Sequence, residues 1–285
     1  MDRIACIIVT FNRLELLQKC YEALKQQVYS DFDIIVVNNG STDGTVEWLN
    51  SLQDIVLLNQ SNLGGSGGFY TGMKYAYENQ YDWMWLMDDD GVPDKQQLHI
   101  LLTMSLKYSF DFSNALVCDI DNPSKLAFGL TAKIIYKADV VNQEYIENHI
   151  NPFNGTFINR RVIDKIGFIK KEMFIWGDES EYQLRAQKNG ITTNTICRAI
   201  HNHPKAKGSY KNVFGSIFPC KIAIKPENLS HFYYRNLGFI QSHYSTYRHV
   251  ILTCTYYIFY FIRTFNFPEL LKFLKFYIRG VRNQY

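Results

Sequence analysis

Three adjacent carboxylates, Asp88-Asp89-Asp90, follow the apolar run Trp83-Met84-Trp85-Leu86-Met87. Like charges this close repel one another, so a fold holds them together at a cost unless a cation neutralises them. In extended chain, residues i and i+2 point the same way. Asp88 and Asp90 are therefore expected to share one hard cation while Asp89 faces elsewhere. Carboxylate oxygens suit Mg2+ or Mn2+, above all when a diphosphate completes the shell. A solvated acidic turn built on Gly91 and Pro93 is the alternative. A second acidic group, Trp176-Gly177-Asp178-Glu179-Ser180-Glu181-Tyr182, stands at the start of a helical pattern. Acids there complement the positive end of the helix dipole, which is sufficient reason for Glu181. Asp178 and Glu179 are also candidates for a general base. Asn62-Leu63-Gly64-Gly65-Ser66-Gly67-Gly68 would let backbone approach a ligand closely. It does not directly follow the first strand and lacks Lys-Ser/Thr, so it fits neither a dinucleotide fingerprint nor a phosphate-binding loop. His201-Asn202-His203 offers two imidazoles as metal ligands.

These groups need a frame. Ile4–Thr10 is a continuous apolar, β-branched run and reads as a buried parallel strand. Leu14, Leu17, Tyr21 and Leu24 follow at helical spacing. Strands are expected at 34–37, 55–58, 83–87 and roughly 193–200, with helices at 67–77 and 178–187. Thr42 or Asp43 would cap a helix after the second strand. The pattern weakens from Cys118 to about His149, which reads as an irregular excursion, and order returns at 154–158. Strands alternating with helices predict a doubly wound α/β sheet with its ligands at the carboxyl ends of the strands.

Charge divides the chain unevenly. Residues 201–285 hold twelve Lys and Arg against two acids, Glu227 and Glu269, and 20 of the 44 aromatic residues. Residues 1–200 hold 18 basic and 25 acidic side chains. A basic, aromatic-rich end suggests an anionic membrane surface as partner. The apolar stretch 250–262 is shorter than the ~20 residues a spanning helix needs, so a membrane-surface or packed helix is expected. The chain is divided accordingly into a catalytic domain, 1–229, and a helical segment, 230–285. Six cysteines without a CxxC pair, and a strand starting straight after Arg3 with no leader pattern, point to a reducing cytosol.

Taken together, Thr10-Phe11-Asn12-Arg13, the turn at 38–45, the loop at 62–69 and the Asp triplet resemble, in order and spacing, the inverting family-2 glycosyltransferases. The resemblance covers about residues 3–205. It implies the nucleotide-sugar-binding, Rossmann-like type A fold with a helical C-terminal extension. It extends further towards bacterial galactofuranosyltransferases, with rhamnosyltransferases sharing several motifs. On this resemblance Thr10, Phe11, Asn12 and Arg13 border the nucleoside, and Asn38 or Asn39 contacts the base. Asn62, Gly64, Gly65 and Asp89 belong to the same nucleotide-sugar site. Asp88, Asp90 and His201 hold Mn2+ or Mg2+, with His203 the alternative to His201. Glu179 is the base, with Asp178 next to it in order of preference, and Trp176 lines the acceptor pocket. The implied reaction moves galactofuranose from UDP-galactofuranose to a hydroxyl of a glycan or polyprenyl-linked acceptor. This would serve surface-glycan synthesis, such as capsule or O-antigen, with the enzyme peripheral on the inner face of a bacterial cytoplasmic membrane. A dTDP-rhamnose donor is the alternative. No nucleic-acid partner is implied, and oligomerisation is left open. A haloacid-dehalogenase-like phosphatase, with Asp88-x-Asp90-Gly91 as its nucleophile motif, is a more distant reading, as is a non-catalytic scaffold of the same fold.

Overall fold

The computed structural model describes residues 2–205, 210–215 and 220–285. The chain divides into two compact units, Met1–Lys171 with Tyr182–Ala206, and Glu172–Glu181 with Lys207–Tyr285. The second unit is thus larger than the tail expected from residue 230, because it also takes in the 172–181 segment and the chain from 207.

The first unit alternates strand and helix through its first half: β1 (Ile4–Thr10), α1 (Leu14–Lys25), β2 (Asp33–Asn38), α2 (Thr45–Ser51), β3 (Ile55–Asn59), α3 (Gly64–Glu78) and β4 (Trp83–Asp88). Then follow β5 (Val92–Pro93), α4 (Gln97–Tyr108), β6 (Phe112–Asp119), β7 (Tyr145–Glu147), β8 (Asn154–Asn159), α5 (Arg160–Ile166), α6 (Asp178–Lys188), of which the residues from Tyr182 belong to this unit, and β9 (Asn194–His203). The sheet order is β3-β2-β1-β4-β8-β6-β9-β5, with β7 also on β9. Strands β3, β2, β1 and β4 are parallel; β8 runs antiparallel to both β4 and β6, and β9 is parallel to β6. The carboxyl ends of β1, β2, β4, β6 and β9 therefore share one edge of the sheet.

Both faces of the sheet are covered. Ile7 and Val9 of β1 and Leu86 of β4 pack with Phe69 and Met73 of α3, while Ile8, Trp85 and Met87 pack with Leu17 and Leu24 of α1 and with Leu98 of α4. The period-2 alternation of side chains produces this three-layer arrangement directly. The expected strands fall where the apolar runs placed them. The excursion starts later than expected: β6 runs to Asp119 and all eight of its residues are buried. Polar residues disguise it. Ser113 Oγ lies 2.8 Å from Ser105 Oγ, and Thr156 Oγ1 donates to Asn114 Oδ1 at 2.5 Å. Where β9 meets β6, the partner of Ala115 is Ile196 but that of Leu116 is Ile200. This bulge sets the positions of both histidines at the end of β9.

The second unit holds the hairpin β10 (Tyr210–Asn212) and β11 (Lys221–Ala223), then α7 (Ser230–Tyr244), α8 (Tyr247–Arg263) and α9 (Phe267–Val281). Tyr234, Tyr257, Phe261, Phe273 and Tyr277 form its core. Helices α7 and α9 approach closely through two glycines: a Cβ on Gly238 would fall 2.2 Å from the Tyr277 carbonyl oxygen, and one on Gly280 1.8 Å from that of Arg235. Among the described residues, no helix is long and apolar enough to cross a membrane.

Candidate functional site

Asp88 ends β4 and the next two acids occupy the turn before β5. Ligand atoms of Asp88, Asp90 and His203 lie within 4.8 Å of one another. His203 Nε2 stands 3.0 Å from Asp90 Oδ1, yet that buried oxygen has no hydrogen-bond partner. With the imidazole protonated these two groups form an ion pair; with it neutral, their lone pairs converge and suit a shared cation. Two carboxylates and an imidazole form a donor set for a divalent ion, and the imidazole favours Mn2+ over Mg2+.

The charges show the same strain. Burial, then Asp90 and Asp89, push the Asp88 carboxyl up to about 8. Asp89 rises to about 6 through burial, resisted by its bond from Thr10 and by Arg13. Burial opposes the ionised form of Asp90, but His203 and Arg13 outweigh it and hold that carboxyl below the ordinary range. Burial likewise opposes the charged form of His203, but the Asp90 carboxylate outweighs it and raises that imidazole. A cation would stabilise all three ligands in their deprotonated forms.

Asp89 turns away from this cluster, as expected, but it is the turn closed by Gly91 N on the Asp88 carbonyl, not an extended strand, that sets its direction. It accepts from Thr10 Oγ1 at 2.7 Å and from Arg13 Nη1 at 3.2 Å. Arg13 also donates to Asp90 at 2.9 Å. Its guanidinium ties the β1–α1 loop to the acidic turn, a role its place in the sequence did not disclose.

His201, expected as the metal ligand, is elsewhere. It pairs in register with Val117 and Pro93, one step deeper in the sheet, whereas His203 ends β9 opposite Asp119. His201 is fully buried behind Gly91: a Cβ there would sit 2.2 Å from its Nε2. Gln97, its amide oriented to satisfy its neighbours, donates to the Ile200 carbonyl (2.7 Å) and to His201 Nδ1 (3.2 Å), and accepts from Trp85 Nε1 (3.3 Å). This leaves the imidazole proton on Nε2. Burial, then His203, depress the His201 pKa to about 3, so the ring is neutral. His201 braces the acidic turn from behind, and the imidazole in the cluster is that of His203.

The loops beside the cluster are stitched together. Asn12 adopts a left-handed backbone, its Oδ1 accepts from Thr42 N at 2.6 Å, and its N donates to Ser41 Oγ at 2.9 Å. Asp43 accepts from Leu14 N and from Thr45 Oγ1, so one carboxylate serves the starts of both α1 and α2. Asn38 and Asn39 are buried. Asn38 donates to Asn59 Oδ1 and accepts from Ser41 N; Asn39 donates to the Gly64 carbonyl and accepts from Gln60 Nε2. Their amides pin the loop that the resemblance places against the base. Phe11 is exposed. Asn62 Oδ1 accepts from Gly64 N at the start of α3, and an added Cβ on Gly65 would meet nothing within 4 Å. No packing contact accounts for the missing side chain of Gly65, and the backbone there is open to a ligand.

The second acidic group lies in the second unit and is built on α7. Asn236 Nδ2 donates to the carbonyls of Met173, Ile175 and Trp176, at 2.8, 3.0 and 2.8 Å. These bonds hold Trp176 in a left-handed conformation, φ 61°. Glu179 accepts from Gly177 N at 3.0 Å, closing the first turn of α6. Asp178 is buried, and Glu181 is fully buried and accepts from Tyr244 Oη at 2.8 Å. Lys225 Nζ stands 4.6 Å from the Trp176 ring centroid. Burial lowers the Lys225 pKa, and Glu179 opposes that shift. Sequence spacing gave no sign of Lys225, which is 46 residues away from Glu179.

Residues 5–167 match the model of the family described as Glycosyl transferase family 2. The galactofuranosyltransferase GlfT1 of Mycobacterium tuberculosis is 31% identical over 252 residues, covering 85% of this chain and 83% of that protein. Among solved structures, Staphylococcus aureus TarS, residues 1–349 in complex with UDP, aligns with a TM-score of 0.58 at 11% identity, over 86% of this chain and 67% of that one. The mannosyltransferase PcManGT of Pyrobaculum calidifontis, in complex with GDP-Man and Mn2+, aligns with a TM-score of 0.52 at 14% identity, over 85% and 63%. At such identities the two structures speak for the fold.

Proposed function

Because this chain belongs to glycosyl transferase family 2, we propose that it moves galactofuranose from UDP-galactofuranose to a hydroxyl of a lipid-linked or polysaccharide acceptor, with inversion. The observation that carries the reaction class is the Asp88–Asp90–His203 cluster at the carboxyl edge of the sheet, beside Thr10 and Arg13. The identity with GlfT1 supports the sugar. Asp88, Asp90 and His203 would hold Mn2+ or Mg2+. A bound cation supplies charge stabilisation to the departing diphosphate.

The chain's own groups do the rest. Asp89 orders Thr10 and Arg13, which fix the loop that borders the nucleoside. The backbone of Gly64 and Gly65 lets the donor approach α3 closely. Glu179, or Asp178 beside it, removes the proton from the acceptor hydroxyl during attack, and Trp176 offers the acceptor sugar an apolar face. Such a base contributes about 10²–10⁴-fold. One displacement with a base on the acceptor side inverts the anomeric centre and needs no covalent intermediate. A phosphatase with Asp88 as nucleophile does not fit a chain of this family. The product belongs to a surface glycan of the capsule or O-antigen kind, and the enzyme works as a peripheral protein on the inner face of a bacterial cytoplasmic membrane.

The test is a donor screen with mass detection on the full-length protein, offering UDP-galactofuranose, UDP-galactopyranose and dTDP-rhamnose with Mn2+ and a short glycan acceptor. Transfer from UDP-galactofuranose alone is the expected result. Transfer from dTDP-rhamnose instead would move the enzyme to the rhamnose branch. UDP binding without turnover of any donor would leave a scaffold.

A further inference from the structure

Helix α9 is apolar on two sides. One side, with Phe273, Tyr277 and Gly280, is buried in the core of the second unit. The other carries Phe267, Leu271, Leu274, Ile278 and Val281, all exposed, with Leu271 at 68%. Their spacing of four, three, four and three residues places them in one stripe along the helix. Phe265, in the turn that leads into α9, is 79% exposed and extends the stripe at its start. Buried apolar residues account for a folded helix, but a second stripe facing outward along its whole length does not contribute to this fold. Contiguous exposed apolar surface of this kind marks an interaction site.

The spacing alone would serve two occupants, since alternating steps of three and four are also those of a helix pairing with its own copy. The charges separate them. Exposed Lys275 and Arg282 stand beside the stripe, with Arg279 on the same helix. The one acid of α8 and α9, Glu269, is 5% exposed and is occupied by Tyr234 and Lys272. Two copies pairing along this face would bring cations together with no carboxylate to answer them. An anionic surface answers them all.

We propose that α9 lies in the headgroup plane of an anionic bilayer, with Phe265, Phe267, Leu271, Leu274 and Ile278 dipping into the acyl boundary and Lys275 and Arg282 contacting lipid phosphates. This deepens the membrane placement proposed above by naming the contact face. A helix with one apolar side and Lys and Arg at its edges lies flat in an interface. Here the inner side is held by the protein itself, so the helix docks already folded.

Flotation of the full-length protein tests this, with vesicles of phosphatidylcholine alone or with about a third phosphatidylglycerol, at low and high salt. The expected result is flotation that needs phosphatidylglycerol and weakens in salt. The Leu271→Asp/Ile278→Asp pair should lose it by more than about tenfold, since each buried apolar side chain contributes strongly. The Lys275→Ala/Arg282→Ala pair should lose about tenfold or more. All of these sites are exposed, and circular dichroism together with UDP binding in the presence of Mn2+ should match the unsubstituted protein. If the protein floats and the Leu271→Asp/Ile278→Asp pair floats equally well, the membrane placement stands and the α9 face is wrong. If the unsubstituted protein never floats, both fail. Self-association in sedimentation that Leu271→Asp abolishes would give the face to a second copy. Loss of UDP binding in the unsubstituted protein would instead count against the glycosyltransferase reading.

Discussion

A carboxyl pushed up to about 8, as Asp88 is, stays protonated near neutral pH unless a cation displaces the proton. Apparent Mn2+ affinity should therefore climb as pH rises towards 8, with proton release on binding. Titration calorimetry in buffers of different ionisation enthalpy measures both, and an affinity flat from pH 6 to 8 would count against Asp88 as a ligand. The sign for stability is the reverse of the usual carboxylate case. Between the ordinary carboxylate range and about 8, the native metal-free protein holds a proton that the unfolded chain has lost, so stability falls as pH rises through that window. Saturating Mn2+ should flatten this slope. The two histidines should separate cleanly. His203→Ala should weaken Mn2+ binding by roughly 10–100-fold with little change in melting temperature. His201→Ala should mainly lower the melting temperature, because it empties a fully buried site behind Gly91. The grouping of Asp88 with Asp90 apart from Asp89 was expected from alternation, although a turn and not an extended strand produces it. The choice between His201 and His203 was not, because both lie on the same strand face and only the bulge in β9 and the position of Gly91 decide which reaches the turn.

Helix α6 shows how an element distributes three acids. Its start at Asp178 was readable from Gly177 and the acidic first turn, and each carboxylate then meets different surroundings. Glu179→Gln should cut turnover by about 10²-fold or more while UDP affinity holds. If Asp178→Asn does this instead, the neighbouring acid is the base. Glu181→Gln should chiefly lower thermal stability, because Glu181 is fully buried and hydrogen-bonded by Tyr244. Strands β1 to β4 were legible because they are nearly pure apolar runs. Strand β6 is as buried as β1 but opens with Phe112-Ser113-Asn114, whose polar groups are satisfied by Ser105 and Thr156 on other elements. No local pattern discloses a partner 42 residues away. The helical turns at 171–173 and the anchoring of Trp176 by Asn236 were invisible for the same reason.

At the scale of the molecule, each unit has its own apolar core, so calorimetry should resolve two unfolding transitions. UDP with Mn2+ should raise the one belonging to the strand-rich unit, which holds the proposed donor and metal site. A single transition that shifts as a whole would reject this independence. The uneven charge was plain in the sequence, but the finer limits of the second unit were not, because Glu172–Glu181 joins it from the middle of the chain. The crossing of α7 and α9 carries a constraint of another kind. Gly238 faces the Tyr277 carbonyl and Gly280 faces that of Arg235, so each glycine abuts backbone. A crowded side chain can be relieved by trimming its neighbour; a crowded carbonyl cannot. No second substitution compensates for a methyl group at either position, so the two glycines form a lock without a matching key. Any homologous chain that puts larger residues at both sites must hold its last helix farther from the first or at another angle, and this can be read from its sequence before its structure is known.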